Sequence, residues 1–168
     1  IARVVPVIAA LRAATKALIS IDTMKPAVAM AALHAGASIW NDVAALQSPG
    51  ALETAAAVRR PVILMHMQGE PRNMQHHPSY TDVAGEVRDF LQERIEACVA
   101  AGIPRQRLVV DPGFGFGKTV AHNLDLLRRL GRNVSAADAY RRAISLCENE
   151  TERRYLARRL REVEPGKA

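Results

Sequence analysis

Four short apolar runs recur along the first two thirds of the chain, each ending in polar residues. Leu18-Ile19-Ser20-Ile21 leads into Asp22-Thr23-Met24-Lys25-Pro26, and Ala37-Ser38-Ile39-Trp40 into Asn41-Asp42. Pro61-Val62-Ile63-Leu64 leads into Met65-His66-Met67-Gln68-Gly69, and Arg107-Leu108-Val109-Val110 into Asp111-Pro112. Short apolar runs separated by segments of helical spacing are the pattern of βαβ units. Right-handed crossovers set such strands side by side with their polar ends together. Ligand sites in parallel α/β folds lie at the carboxyl ends of the strands. The function is therefore expected at this shared mouth.

The intervening segments predict helices. Residues 1–16 read as the back part of one. A second runs from Pro26 to about His34, entered through Thr23, with proline near its first turn and Gly36 placed to end it. A third runs from Pro49 to about Val58, with Ser48 as its N-cap. The longest spans Thr81 to about Ala101, with Val83, Val87, Phe90, Leu91, Ile95 and Val99 near helical spacing, and is closed by Gly102 and Pro104. Another runs from Ala121 through about Leu130. The order is αβαβαβαβα, with a long polar loop from Gln68 to Tyr80. From about Asn133 the strand-like runs stop. Ser135 with Asp138 suggests a capping box, and Tyr140, Ala143, Ile144 and Cys147 share a helical face. Asn149 and Glu152 suggest a second start, followed by Tyr155, Leu156, Leu160 and Val163. This Arg-rich helical hairpin sets a boundary near Arg132, dividing the chain into 1–132 and 133–168.

Composition narrows the class. A chain of 168 residues, 49% hydrophobic and 24% charged, makes about one soluble domain with a real core. No apolar run approaches the roughly 18 residues of a membrane span. The start, Ile1-Ala2-Arg3-Val4-Val5-Pro6, has neither an initiator Met nor a signal-peptide layout, and reads as the middle of a helix in a longer protein. Cys98 and Cys147 form no CxxC pair, which fits a reduced, cytoplasmic setting. The net charge of +6 is modest and favours anionic substrates. The basic residues are dispersed, without aromatics interleaved, so nucleic acid is not expected as a partner.

The chemistry concentrates in Asp111-Pro112-Gly113-Phe114-Gly115-Phe116-Gly117-Lys118. A carboxylate stands at a strand end, where burial without a polar partner is costly. Glycines let the following backbone turn sharply and approach a ligand, and two phenylalanines offer flat faces. An aromatic or amidine-like heterocycle uses all of these features. Asp22 also fits as a helix cap, and Asn41 and Asp42 also fit as turn formers. His66, between two methionines, reads as a structural histidine before a base. His76 and His77 read as solvated, with no zinc-like spacing to a partner. Lys118 fits either an anion contact or a solvated loop.

Ile-Ser-Ile-Asp-Thr-x-Lys-Pro, Asn-Asp, Leu-Met-His-Met-Gln-Gly and Asp-Pro-Gly-Phe-Gly-Phe-Gly-Lys, in this order, resemble the dihydropteroate synthase family over about residues 1–132. The resemblance implies an α/β fold, a partial (β/α)8 TIM barrel holding strands three to six of eight. It implies a transferase that condenses 6-hydroxymethyl-7,8-dihydropterin pyrophosphate with p-aminobenzoate. The products would be dihydropteroate and pyrophosphate, in folate biosynthesis, and sulfonamides compete with p-aminobenzoate in this family. By the same resemblance, Asp111 accepts a bidentate pair of hydrogen bonds from the pterin. Asp22 and Asn41 add hydrogen bonds, Val43 and Met65 form apolar walls, and Gly115 and Phe116 line the slot. Trp40 departs from the family's smaller aliphatic residue. It packs outward against a helix or, pointing inward, crowds the slot.

Other family features have no counterpart here: the Asn-bearing first strand, the Ser-Thr-Arg-Pro loop, the Ser-Arg-Lys motif and the Arg-x-His motif. The resemblance thus implies Mg2+ with its ligands outside this chain, and little or no turnover by this chain alone. Intact members of the family often form homodimers. The alternative is a non-catalytic fragment or interaction protein retaining half of a pterin site. A pterin-binding methyltransferase fits the Phe-Gly-Phe-Gly loop less well. Residues 133–168 weakly resemble the C-terminal helices of extracytoplasmic-function sigma-factor-like proteins, and equally fit a generic amphipathic hairpin.

Overall fold

The computed structural model describes residues 1–129, 141, 144 and 150–163. Strands β1 (Ser20–Asp22), β2 (Ile39–Asp42), β3 (Val62–Met65) and β4 (Leu108–Asp111) form one sheet in sequence order. Every neighbouring pair is parallel. Helices α1 (Val5–Ala14), α2 (Pro26–His34), α3 (Ala51–Val58), α4 (Val83–Ala100) and α5 (Val120–Arg129) alternate with the strands. A last helix, α6, spans Glu150–Val163. Consecutive parallel strands joined by single helices are the repeat of a (β/α)8 barrel, here four strands of it.

Side chains alternate across a strand, and the register sorts them into two faces. Ile21, Trp40, Val62 and Leu64 lie in one buried cluster with Ala29, Ala32 and Leu33 of α2, Ala51 and Ala55 of α3, and Val83, Val87 and Leu91 of α4. The many alanines serve a purpose here: small side chains let α2 and α3 sit close to the sheet. The opposite face carries Ser20, Asp22, Ile39, Asn41, Ile63, Met65, Val109 and Asp111, which the pairings place in matching rows. Trp40 is fully buried on the helix side, and its indole N–H donates to the Thr23 carbonyl at 2.7 Å. It therefore packs outward and leaves the other face uncrowded.

Several boundaries differ from the expected ones. Strands β1, β2 and β4 end on or beyond their first polar residue and β3 ends on Met65, because backbone pairing continues past the apolar runs; Asp22 pairs with Asn41 and Met65 with Asp111. Helix α3 begins at Ala51 after Gly50 in the left-handed region, and Ser48 makes no side-chain cap. The Ser48 carbonyl instead closes a turn with the Ala51 N–H at 3.0 Å. The buried stripe of α4 is Val83, Val87, Leu91, Arg94 and Cys98, while Val99 is 48% exposed. The boundary near Arg132, the Ser135–Asp138 box, Tyr140, Ala143 and Cys147 lie outside the described residues. In α6, Leu156 is buried.

Candidate functional site

Two pairs of residues meet at the carboxyl ends of the strands. Asp22 lies opposite Asn41, and Met65 opposite Asp111, all on the face turned away from the helices. The ladder continues one step further at both places. The Thr23 N–H donates to the Asn41 carbonyl, and the His66 N–H to the Asp111 carbonyl, each at 3.0 Å. Met65 is buried, Asn41 and Asp111 are half-buried, and Asp22 is exposed. One oxygen of Asp111, Oδ1, accepts the Gly113 N–H at 2.8 Å. A carboxylate has about four acceptor positions, so this bond leaves Oδ2 and a second lone pair of Oδ1 for further donors.

The loop after β4 folds down onto the loop after β3. Gly113 has φ +68°, and a Cβ there would stand 1.9 Å from the His66 carbonyl oxygen. At Gly117, φ +59°, a Cβ would stand 2.4 Å from the Gln68 carbonyl oxygen. Only glycine permits backbones to approach this closely. Between these two contacts the loop rises into the open. Gly115 is exposed and Phe116 half-buried. The Gly115 N–H donates to Asn123 Oδ1 at 2.9 Å, and its carbonyl accepts from the Gln75 amide. Tyr80 donates its hydroxyl to the Gly117 carbonyl at 2.7 Å. The long polar loop is closed on itself by Gln68, whose amide both donates to the Ser79 carbonyl and accepts from the Ser79 N–H.

Asp42 acts as the turn former behind Asn41. It is fully buried, with Oδ1 accepting the Ala44 N–H at 2.9 Å and Oδ2 the Leu46 N–H at 3.1 Å. Burial raises its pKa, partly offset by those two hydrogen bonds. The turn it holds contains Ala45 and Leu46 at φ +49° and +59°, positions that cost side-chain-bearing residues strain. Arg94 secures the same turn from α4, donating to the Ala45 carbonyl at 2.9 Å and the Leu46 carbonyl at 3.3 Å. Sequence reasoning passed over Arg94. Its spacing, three after Leu91 and four before Cys98, was the signal that it lay on the buried face. Val43 stands in this turn and lines a cleft of about 450 Å³ with Met24, Met67, Arg72 and Phe90.

Lys118 is neither solvated nor held out for an anion. It is 3% exposed, and its Nζ lies 2.9 Å from His66 Nδ1 and 3.0 Å from the carbonyl oxygens of Gly113 and Phe116. Burial lowers its pKa to about 8, with the Asp111 charge opposing the shift. His66 is also buried, with Phe90 edge-on at 5.0 Å. Burial first, and the neighbouring Lys118 charge second, lower its pKa to about 4. His66 is thus neutral, and its Nδ1 lone pair is occupied by the lysine. His76 and His77 are exposed. Among the described residues no three His, Cys, Asp or Glu side chains converge as a metal site requires, and no helix is long and apolar enough to cross a membrane.

The strand ends of this parallel α/β sheet thus carry two carboxylates and an amide, with a glycine-phenylalanine loop above them. Residues 1–145 match the pterin-binding enzyme family, and the chain belongs to it. Dihydropteroate synthase of Escherichia coli K12 is 49% identical over 128 residues, covering 76% of this chain and 45% of that relative. A Yersinia pestis dihydropteroate synthase solved with a sulfonamide drug is 51% identical, with a TM-score of 0.75, over 80% of this chain and 49% of that one. The Xanthomonas albilineans enzyme in complex with 7,8-dihydropteroate is 51% identical, with a TM-score of 0.71, over 78% of this chain and 48% of the other. The chain therefore spans about half the length of these relatives.

Proposed function

We propose that this chain supplies the pterin half of a dihydropteroate synthase site. The whole reaction would join 6-hydroxymethyl-7,8-dihydropterin pyrophosphate to p-aminobenzoate, giving dihydropteroate and pyrophosphate. The carrying observation is that Asp22, Asn41 and Asp111 share one face at the carboxyl ends of a single parallel sheet. In this reading the two Asp111 oxygens accept from the pterin's adjacent ring N–H and amino group, Oδ1 using its second lone pair while it keeps Gly113 in place. Asn41 donates and accepts at a second edge, and Asp22 accepts from a third position. Met65 and Val43 exclude water beside the ring, and Gly115 and Phe116 close over it.

The chemistry assigned to these residues is electrostatic. The C–O bond at the pterin methylene breaks, pyrophosphate leaves with the electron pair, and positive charge develops on the pterin. Preorganised carboxylates beside that charge stabilise it. The p-aminobenzoate nitrogen then forms the C–N bond and loses a proton. No covalent intermediate with the protein is required. Support comes from relatives about half identical in sequence, one of them solved with 7,8-dihydropteroate. Magnesium belongs to the proposal only with ligands outside this chain, and no step here is routed through it. A cytoplasmic setting and a homodimeric assembly of the intact fold belong to the same proposal.

The test is calorimetric titration of the chain with 6-hydroxymethylpterin, then with the pterin pyrophosphate plus magnesium and p-aminobenzoate. Binding is expected, weakened at least about tenfold by Asp111→Ala, as loss of a charge-assisted pair implies. Turnover by this chain alone is expected to be undetectable. Pterin binding that survives Asp111→Ala unchanged would refute the assignment. Absence of pterin binding would leave the non-catalytic, interacting fragment as the better reading.

A further inference from the structure

We propose that Lys118 is a positioning residue for the pterin site: its buried ammonium staples the loop after β4 to the loop after β3 and so holds Asp111 and Phe116 in their working arrangement. The inference rests on the pterin reading above. An ammonium has three protons, and three acceptors surround this one at 2.9–3.0 Å: His66 Nδ1, the Gly113 carbonyl and the Phe116 carbonyl. The His66 carbonyl stands further off at 3.4 Å. Two of the three close acceptors belong to the loop after β4, and the third is the side chain of the residue after β3.

Such a group is a poor choice for stability alone. A buried charge without an ion-pair partner is costly, and among the described residues no carboxylate pairs with Lys118. What the ammonium does that an apolar side chain cannot is gather acceptors from two separate loops around one point. The consequence reaches the site through Gly113. Its carbonyl is held by Lys118 and its N–H by Asp111 Oδ1. The orientation of the Asp111 carboxylate is thereby tied to the staple, and Phe116 is tied through its own carbonyl.

The staple depends on protonation at both ends. His66 must be neutral to accept, and Lys118 must be charged to donate three times. Several groups bear on the pair: Asp111 of β4, Glu86 of α4, and Tyr80, whose hydroxyl burial pushes up to about 12. His122 of α5 feels Lys118, Asp125 and Glu86, and burial lowers it first. Above about pH 8 the lysine loses its proton, so one of the three acceptors goes unserved.

The experiment compares the parent chain with Lys118→Met, His66→Leu and His66→Gln. Hydrogen-exchange protection factors of the Gly113, Gly115 and Phe116 amides are read without ligand, and 6-hydroxymethylpterin affinity is read alongside, across neutral to alkaline pH. In the parent, affinity is expected to fall as pH rises past about 8. In Lys118→Met, protection should be lost throughout, with affinity about tenfold weaker near neutral pH and the parent-to-variant affinity ratio narrowing above about pH 8. Titration of the ligand itself is common to all the proteins and cancels in the ratio. His66→Gln, which keeps an acceptor, should restore what His66→Leu loses. Unchanged loop protection in Lys118→Met, or an affinity within about twofold of the parent with the same alkaline break, would overturn the proposal. If Lys118→Met does not fold, the parent and the His66 pair decide: no alkaline break, or equal loss in both His66 variants, overturns it. If no protein binds pterin, the functional reading fails while the exchange data still decide the staple.

Discussion

Protonation of His66 should be a main source of acid instability in this fold. The ring is 7% exposed, packed edge-on to Phe90 and tilted against Tyr80, with its Nδ1 turned to the Lys118 ammonium. A proton on that nitrogen would remove the acceptor and place a second cation beside the first. The folded pKa is accordingly lowered from 6.5 to about 4. Between these two values the unfolded chain binds a proton that the folded chain refuses, so stability falls as pH falls. At about 1.4 kcal/mol for each tenfold change, the full drop amounts to about 3 kcal/mol, most of it reached by about pH 4.5. The assay is urea unfolding near pH 7 and near pH 4.5, on the parent and on His66→Gln. The carboxylates titrate in both proteins and cancel in the difference. The parent should lose about 2–3 kcal/mol more than the variant on acidification. Parallel losses in the two proteins would refute the reasoning. Lys118, lowered from 10.5 to about 8, works at the other end of the scale. There too the unfolded chain holds the extra proton, so stability should rise with pH between those values.

Two further substitutions test the loops that carry the site. Gly113→Ala drives a Cβ into the His66 carbonyl at positive φ and should cost at least about 3 kcal/mol. Gly50→Ala, also at positive φ but with nothing within 4 Å, should cost only about 1 kcal/mol. Thermal melting of the pair separates the clash from the backbone conformation, and equal losses would contradict the close loop contact. Asp42→Ala removes the acceptor of the buried Leu46 N–H and leaves Arg94 without its opposing charge. A loss of about 2–4 kcal/mol is expected from denaturant unfolding, and a neutral result would show that the strained turn holds without it.

Much of the architecture is legible in the order of residues. Runs such as Pro61–Leu64 are too apolar and too short for anything but buried strands, and prolines and glycines mark where the chain must turn. Helix α2 follows its expected limits, Pro26 to His34, because Pro26 can only begin a helix and Gly36 adopts the positive φ that ends one. The motifs also name the candidate residues, since a carboxylate at a buried strand end needs a partner wherever the strand lies. The family follows from the same four motifs. Which face each strand residue takes does not. The run Ile39-Trp40-Asn41-Asp42 lacks the apolar–polar alternation that would tell the face of Trp40 from that of Asn41, and only the pairing of β2 with its neighbours decides it. Arg94 and Lys118 show the same limit from the other side. A cation in a helix or a glycine-rich loop reads as solvated until folding brings backbone carbonyls around it, from 49 residues away for Arg94 and Ala45. For Lys118 the distant partner is His66, 52 residues earlier. Local sequence determines strands, turns and chemical types. Burial of charge depends on acceptors assembled by the whole fold, and only the tertiary structure decides it.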